Sequence, residues 1–378
     1  MTIYLDNAAT TKPCEEAVQS INTALTGLYG NPSSLHSMGL AAQLAVDEAR
    51  KNIALALGCQ QDCLYFTSGA TESNNIAVRG AAAAYGKRKP KIVTTAVEHA
   101  SIRETVSDME SKGFEVVRIA PDSNGEINPS DVLNAVDENT CLLSMMLVNN
   151  ENGYILPVEK TFKAVKRRYP DIVTHCDCVQ GFMKLPVKCS ELNADFISLS
   201  AHKIRGAKGV GALYIKKGIR VIPIITGGKQ EKGIRSGTEP VPLILGFGAA
   251  VKKYADSISE RYERASELKK YLLDTIINID GITVNSGENC SPYIINLSVE
   301  GIRSEIMLHF LEEKGIYISS GSACSKGAKS GVLELFGVKS KAADSAVRVS
   351  ISTETTKEEL ETFVEVIKEA QLKIMKTK

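Results

Sequence analysis

The chain has 378 residues, 43% hydrophobic and 24% charged, with 45 basic against 44 acidic side chains for a net charge of +1. That length suits two or three domains, and the near-zero net charge gives no pull toward nucleic acid or an anionic membrane. The opening MTIYLDNAATTKP has neither the basic nor the apolar region of a signal peptide, and apolar runs such as Cys141 to Val148 are too short to span a bilayer, so the cytoplasm is the expected compartment.

In chain order, the first predicted element with clear helical spacing is Leu40–Leu57, stopped by Gly58. Cys63–Thr67 reads as a strand, and Gly69 opens a helix running through Ala84. Further strands are predicted at Lys91–Thr95, Glu115–Ile119, Cys141–Val148, Ile172–Cys176, Asp195–Leu199 and Gly211–Ile215, with helical patterns such as Val158–Arg168 between several of them. This alternation argues for an α/β layered domain with a mainly parallel sheet. The last third differs. Val251–Ile277 reads as one long helix, followed by a strand at Tyr293–Ser298, a helix at Ser304–Lys314, strands at Ile316–Ser320 and Ala346–Ser350, and a terminal helix from Lys357. These compose a smaller α+β domain.

Nine cysteines, odd in number and irregularly spaced, form no disulfide framework. Cys176 and Cys178 share a strand face by alternation, but the only near ligand, His175, points the other way, so no metal site is expected. Most of the nine read as small buried hydrophobes.

Residues able to do chemistry gather at the predicted strand ends. Thr67-Ser68-Gly69-Ala70-Thr71-Glu72-Ser73-Asn74-Asn75 leads a strand through a glycine turn into a helix. Backbone N–H groups and the Thr71 hydroxyl there suit a phosphate, although Ser68 to Glu72 also nearly fits a plain capping box. In Glu98-His99 the imidazole could stack on an aromatic cofactor or move protons; a lone histidine is more often structural, and His36, His175 and His309 are read that way. Asp177, within His175-Cys176-Asp177-Cys178-Val179-Gln180, ends a predicted strand, where open α/β sheets place ligand contacts. A pyridine cofactor needs one carboxylate against its ring nitrogen; the plain alternative is a helix N-cap.

Lys203 follows Asp177 by 26 residues, about one strand-helix-strand unit. In Ser200-Ala201-His202-Lys203 the lysine stands at a strand mouth, well placed for a Schiff base with an aldehyde cofactor. Taken alone, this stretch and the Arg205-to-Gly209 turn would pass for a solvated basic loop. Ser319 to Gly331 is full of small residues without apolar period, so a mobile loop is expected. Within it Lys326 and Lys329 would favour the thiolate of Cys324, which is otherwise a surface thiol. Arg348, on Ala346–Ser350, could grip a carboxylate bidentately or be a surface strand charge.

The ordered run LDNAATT, GNPSS, FTSGATESNN, EH, VNNENG, HCDCVQ, SAHK, GGKQEKGIRSGTEP and SSGSAC resembles the cysteine desulfurase family, the NifS and IscS-like branch of the class V aminotransferase fold, from Tyr4 to Ser350. The resemblance implies a pyridoxal phosphate (PLP) transferase fold of the aspartate aminotransferase type, with a large domain over 13–254 and a small one from 1–12 and 255–378. It implies that Lys203 carries PLP, Asp177 pairs with the ring nitrogen, Gln180 with the ring hydroxyl, and His99 stacks on the ring and shuttles protons. Ala70, Thr71, Ser200 and His202 would hold the phosphate, joined by Thr238 from the second subunit of a homodimer. Asn150 and Arg348 would bind the carboxylate of L-cysteine. Cys324 would take its sulfur as a persulfide, releasing alanine and passing the sulfur to an acceptor protein for iron–sulfur or other thio-cofactor biosynthesis.

The chain departs from the family pattern in places. Ala201 and Ala207 replace a glycine and a proline, Cys178 and Val179 replace an alanine and a threonine, Lys229 interrupts a glycine run, and the stretch after Cys324 is shorter and richer in lysine. None of these touches Lys203, Asp177, His99 or Cys324. A selenocysteine lyase or cystine β-lyase of the same fold would share the cofactor residues, but a lyase needs no SSGSAC loop. A non-catalytic scaffold would be free to lose Lys203 or Asp177, and both are present.

Overall fold

The computed structural model describes residues 2–321 and 331–374. Its centre is a seven-stranded sheet in the order Leu64–Thr67, Gly211–Ile215, Phe196–Ser200, Val173–Asp177, Thr140–Met146, Lys91–Thr95 and Glu115–Ile119. Every residue of Thr140–Met146, Val173–Asp177 and Phe196–Ser200 is buried, as expected for strands covered by helices on both faces. Four of the six pairings are parallel; Gly211–Ile215 runs antiparallel to both its neighbours. The reason is chain length, because the segment between Ser200 and Gly211 is too short for a parallel crossover and simply turns back. Gly211 also lets its strand pass close beneath the Gly69 turn: an added Cβ would lie 2.8 Å from the Gly69 backbone and 2.6 Å from the Leu199 carbonyl oxygen.

The predicted layered α/β class is observed, and several elements form over the residues expected, including Lys91–Thr95, Val158–Arg168 and Ala346–Ser350. The helix Ser37–Leu57 ends at Gly58, whose φ of 73° gives a left-handed cap. The single helix expected over Val251–Ile277 is instead two, Val241–Tyr254 and Ile258–Ile276, separated by a 3₁₀ turn at Ala255–Ser257.

A second, four-stranded antiparallel sheet has the order Ser319–Ser320, Ala346–Ser350, Ile294–Val299, Ile282–Val284. The strand expected over Ile316–Ser320 is divided. Ile316–Tyr317 pairs in parallel with Ile3–Tyr4, whereas Ser319–Ser320 joins Ala346–Ser350. The chain therefore changes sheets at Ile318 and brings the N-terminus alongside the smaller sheet. One apolar cluster runs from Ile3 and Leu5 through Leu143 and Met145 to Leu297 and Val347, so both sheets share a core. Among the described residues no helix is long and apolar enough to cross a membrane.

Candidate active site

A cavity of about 650 Å³ opens at the carboxyl ends of the central parallel strands. Ala70, Thr71, His99, Asn150, Asp177, Gln180, Ser200, His202, Lys203 and Arg348 all line it, although they come from every part of the chain. Two expected site residues are not among them. Thr238 is exposed and does not line this cavity, and Cys324 lies outside the described residues.

One end of the cavity suits an anion. The helix Ala70–Tyr85 begins without a side-chain cap, so its first N–H groups are left for a ligand. The capping-box alternative is half realised: the Glu72 carboxylate reaches back to the Ser68 N–H and pairs with Arg235 Nε at 3.0 Å, but Ser68 caps nothing in return. Ser200 Oγ is buried on the cavity wall with no hydrogen-bond partner, which is costly unless a ligand supplies one. His202 Nδ1 lies 3.2 Å from Thr10 Oγ1, and burial, with Lys203 next in effect, pushes its pKa down to about 4.

The centre is built around Asp177 and Lys203. Asp177 is 5% exposed; its Oδ2 accepts from Asn74 Nδ2 at 2.8 Å and its Oδ1 from the Val179 N–H at 3.0 Å. The second bond is the local turn that the capping alternative anticipates, while the first aims the carboxylate from a different element. Asn74 Nδ2 also donates to Ser101 Oγ at 2.8 Å, and that hydroxyl lies 2.9 Å from His99 Nδ1. His99 also caps the helix Ala100–Ser111, its Nδ1 accepting from the Ser101 N–H. Its Nδ1 is thereby occupied, and burial lowers its pKa.

Lys203 Nζ donates to the carbonyls of Ala8 and Ala9 at 2.7 and 2.6 Å. Burial first, then the Arg348 cation, push its pKa down to about 8, against the pull of Asp6 and Asp177. An amine so placed is roughly one-tenth uncharged near neutral pH, far more than an ordinary lysine, and that is the state a nucleophilic lysine needs.

The far end carries Arg348, which is 3% exposed. Its Nη1 donates to the Asn150 carbonyl at 2.8 Å and its Nη2 to Asp6 Oδ1 at 3.0 Å, while Nε is buried without a partner. It is thus a buried cation at the cavity wall, not a surface strand charge. Unpaired polar atoms at both ends, Ser200 Oγ and Arg348 Nε, mark where a ligand's anionic groups would fit. A buried carboxylate, a lysine of lowered pKa and an uncapped helix start between them fit the chemistry of PLP.

Sequence reasoning missed Asn74, Ser101 and Lys184. Asn74 had a weak signal, one helical turn beyond Ala70 inside a motif already singled out. The other expected histidines behave structurally: His175 is buried between Ser144 Oγ at 2.8 Å and Ser198 Oγ at 3.0 Å, and His36 caps Ser37–Leu57.

Comparison with known proteins agrees with this geometry. The family model for class-V aminotransferases matches residues 3–363. A protein of Dictyoglomus turgidum named cysteine desulfurase IscS is 38% identical over 369 residues, covering 97% of this chain and 93% of its own. A Methanosarcina thermophila protein of the same name is 36% identical over 375 residues, covering 98% and 92%. Among solved structures, one titled NifS-like protein superposes with a TM-score of 0.94 at 35% identity, covering 99% of this chain and 100% of that one. Another, titled SspA in complex with cysteine, gives 0.83 at 32% identity, covering 94% and 100%. A match this long, on a cavity with these residues at its strand ends, leaves one assignment: the chain belongs to the class-V aminotransferase family.

Proposed function

We propose that this protein is a PLP-dependent cysteine desulfurase, which converts L-cysteine to L-alanine and holds the sulfur on Cys324 as a persulfide. The observation that carries the reading is Lys203 Nζ, tied to the Ala8 and Ala9 carbonyls in a cavity that also holds Asp177 and Arg348. The names of its relatives agree with it.

Bound at Lys203, PLP would supply an electron sink for the charge left when the substrate Cα gives up its proton. The protein's own groups prepare that loss. Asp177, fixed by Asn74 and the Val179 N–H, would hold a proton at the ring nitrogen. Gln180 would donate toward the ring hydroxyl. Ala70, Thr71, Ser200 and His202 would bind the phosphate. His99, with Nδ1 engaged, would lie against the ring and have Nε2 left for proton transfer. Lys203, with its lowered pKa, can take the Cα proton. Asn150 and Arg348 bind the substrate carboxylate, Arg348 exchanging Asp6 for it. The Cys324 thiolate would then attack the substrate sulfur, the S–S bond forming as the Cβ–S bond breaks, and the electron pair left on the carbon fragment would take up a proton to give alanine.

The position of Cys324 in this scheme is supported by its described neighbour Ser319, which lines the cavity and pairs with Arg348 across two strands. Among the described residues no cysteine lines the cavity, and seven of the eight are buried. A homodimer, with Thr238 completing the phosphate site of a second copy, is supported by the helix Ser37–Leu57, where Leu40, Leu44 and Leu55 are 58%, 60% and 64% exposed on one face. The division into 13–254 and a small domain of 1–12 with 255–378 is supported by the pairing of Ile3–Tyr4 with Ile316–Tyr317. Onward transfer to an acceptor protein for iron–sulfur or other thio-cofactor synthesis needs reduced thiols, so the cytoplasm is the compartment proposed.

Cys324→Ser tests the reading. The variant should bind PLP and L-cysteine as wild type does, yet form alanine at least about a hundredfold more slowly, because the hydroxyl is a far poorer nucleophile. In wild type without reductant, mass spectrometry should find ~32 Da, one sulfur atom, added to the Cys324 peptide. Normal desulfuration by the variant, or an adduct on Cys176 or Cys178, would remove Cys324 from this role.

A further inference from the structure

Lys184 stands one turn beyond Gln180 and is 6% exposed. Its Nζ donates to Gln180 Oε1 at 2.8 Å and sits 5.8 Å from the centre of the Tyr293 ring. No carboxylate pairs with it among the described residues. The charges that act on it are Lys203, Arg261 and Arg348, all cations, and together with burial they push its pKa down to about 7. A buried ammonium held by one neutral oxygen and an aromatic face does not serve stability, since an apolar side chain of similar shape is usually at least as stable in such a place.

Gln180 shows what the ammonium does. A glutamine amide has an acceptor side and a donor side, and the two can exchange by a flip. As an ammonium Lys184 only donates, and its bond to Oε1 at 2.8 Å holds the amide with Oε1 toward itself. Nε2 is then turned the other way and donates to the Ala8 carbonyl at 2.9 Å. That carbonyl also accepts from Lys203 Nζ at 2.7 Å. Both neighbours of Gln180 thus demand the same orientation, and the chain Lys184, Gln180, Ala8, Lys203 is continuous. Nε2 keeps a second hydrogen, and Gln180 lines the cavity.

We propose that Lys184 is a positioning residue, which locks the Gln180 amide so that Nε2 is the donor on the cavity side and the ring oxygen of the cofactor meets a donor rather than an acceptor. The inference rests on the proposed pairing of Gln180 with that oxygen. Without Lys184, the amide is held only by the Ala8 carbonyl. An amide that turns its oxygen to the cavity repels an anionic ring oxygen.

The experiment uses the dimeric full chain loaded with PLP, in four forms: wild type, Lys184→Met, Gln180→Ala and the double variant. Dissociation of PLP and the pH midpoint of its absorption band are measured, and melting is followed on the stripped protein. Lys184→Met should bind PLP about tenfold more weakly, the worth of one charge-assisted hydrogen bond. Its absorption midpoint should move up by about one pH unit, since losing the Gln180 donor makes the ring oxygen hold its proton longer. The melting temperature of the stripped variant should not fall. In the Gln180→Ala background the same substitution should change both readouts less than about twofold, because the residue it acts through is gone.

An unchanged absorption midpoint in Lys184→Met, or an equal shift in both backgrounds, overturns the proposal. So does a Met variant that does not fold, because the argument requires the apolar chain to be tolerated. A wild-type protein that binds PLP but makes no alanine from cysteine would defeat the desulfurase reading and leave the spectral test of Lys184 intact.

Discussion

Replacing Asn74 by alanine should detach the Asp177 carboxylate from the helix that aims it. Asn74 is fully buried and donates to Asp177 Oδ2 and Ser101 Oγ, both at 2.8 Å. After truncation, only the Val179 N–H, 3.0 Å from Oδ1, remains on a carboxylate that is 5% exposed. A hydrogen bond to a charged group is worth about 1.5–3 kcal/mol, a factor of roughly 10 to 150. The same substitution frees the Ser101 hydroxyl that sits 2.9 Å from His99 Nδ1, so the imidazole loosens as well. The PLP dissociation constant of the stripped protein, read by absorbance titration, should rise by about that factor while circular dichroism stays unchanged. Asn74→Asp should be worse, because two carboxylates at hydrogen-bond distance cannot both ionise, and the proton they share is withheld from the ring nitrogen. If Asn74→Ala binds PLP within about twofold of wild type, or Asn74→Asp binds it more tightly than Asn74→Ala, the reasoning about Asp177 is wrong.

Borohydride reduction and peptide mapping should place the pyridoxyl group on Lys203 in wild type and on no residue in Lys203→Ala; a label on Lys208, which also lines the cavity, would overturn the assignment. Sedimentation at falling concentration should show PLP released in step with dissociation of the dimer, and a saturated, fully active monomer would refute the role given to Thr238. The stripped protein should also show a pH signature. Lys184 is pushed down to about 7 and Lys203 to about 8, both chiefly by burial. The unfolded chain, with lysines near ~10.4, therefore binds more protons above pH ~7, and these two groups make stability rise with pH through that window. Lys184→Met, freed of one such penalty, should exceed wild type in melting temperature most at pH ~6 and by a shrinking margin toward pH ~10. A margin that grows with pH would have the wrong sign.

Much of the fold was legible because burial on both faces of the central strands leaves runs of β-branched and apolar residues, as in Lys91–Thr95 and Gly211–Ile215. What was hidden has physical reasons. The helix Glu15–Gly27 buries only Ala17 and Ala24, small side chains that give a weak apolar signal. The break at Ala255–Ser257 contains neither proline nor glycine, and the helical pattern runs straight through it. The change of sheet at Ile318 depends on which strands wait on either side, which alternation cannot encode. The site shows the same limit. Asp177 and Lys203 announced themselves by standing at strand ends. Asn74 and Lys184 act only through partners, Asp177 and Gln180, and an amide or a lysine within a turn looks ordinary until its neighbour is known.

The N-terminal strap has a consequence for synthesis. Asp6 pairs with Arg348 across 342 residues, and the Asn7 side chain donates to the Ser350 carbonyl across 343. The Ala8 and Ala9 carbonyls that hold Lys203 sit on the same strap. During translation the strap emerges well before its partner strand Ala346–Ser350. The large sheet can form meanwhile, since its strands lie within 64–215. Contacts of such long sequence separation close late. Until Ala346–Ser350 is made, Lys203 is therefore not fully enclosed, and the Arg348 end of the cavity is finished only when that strand meets the strap.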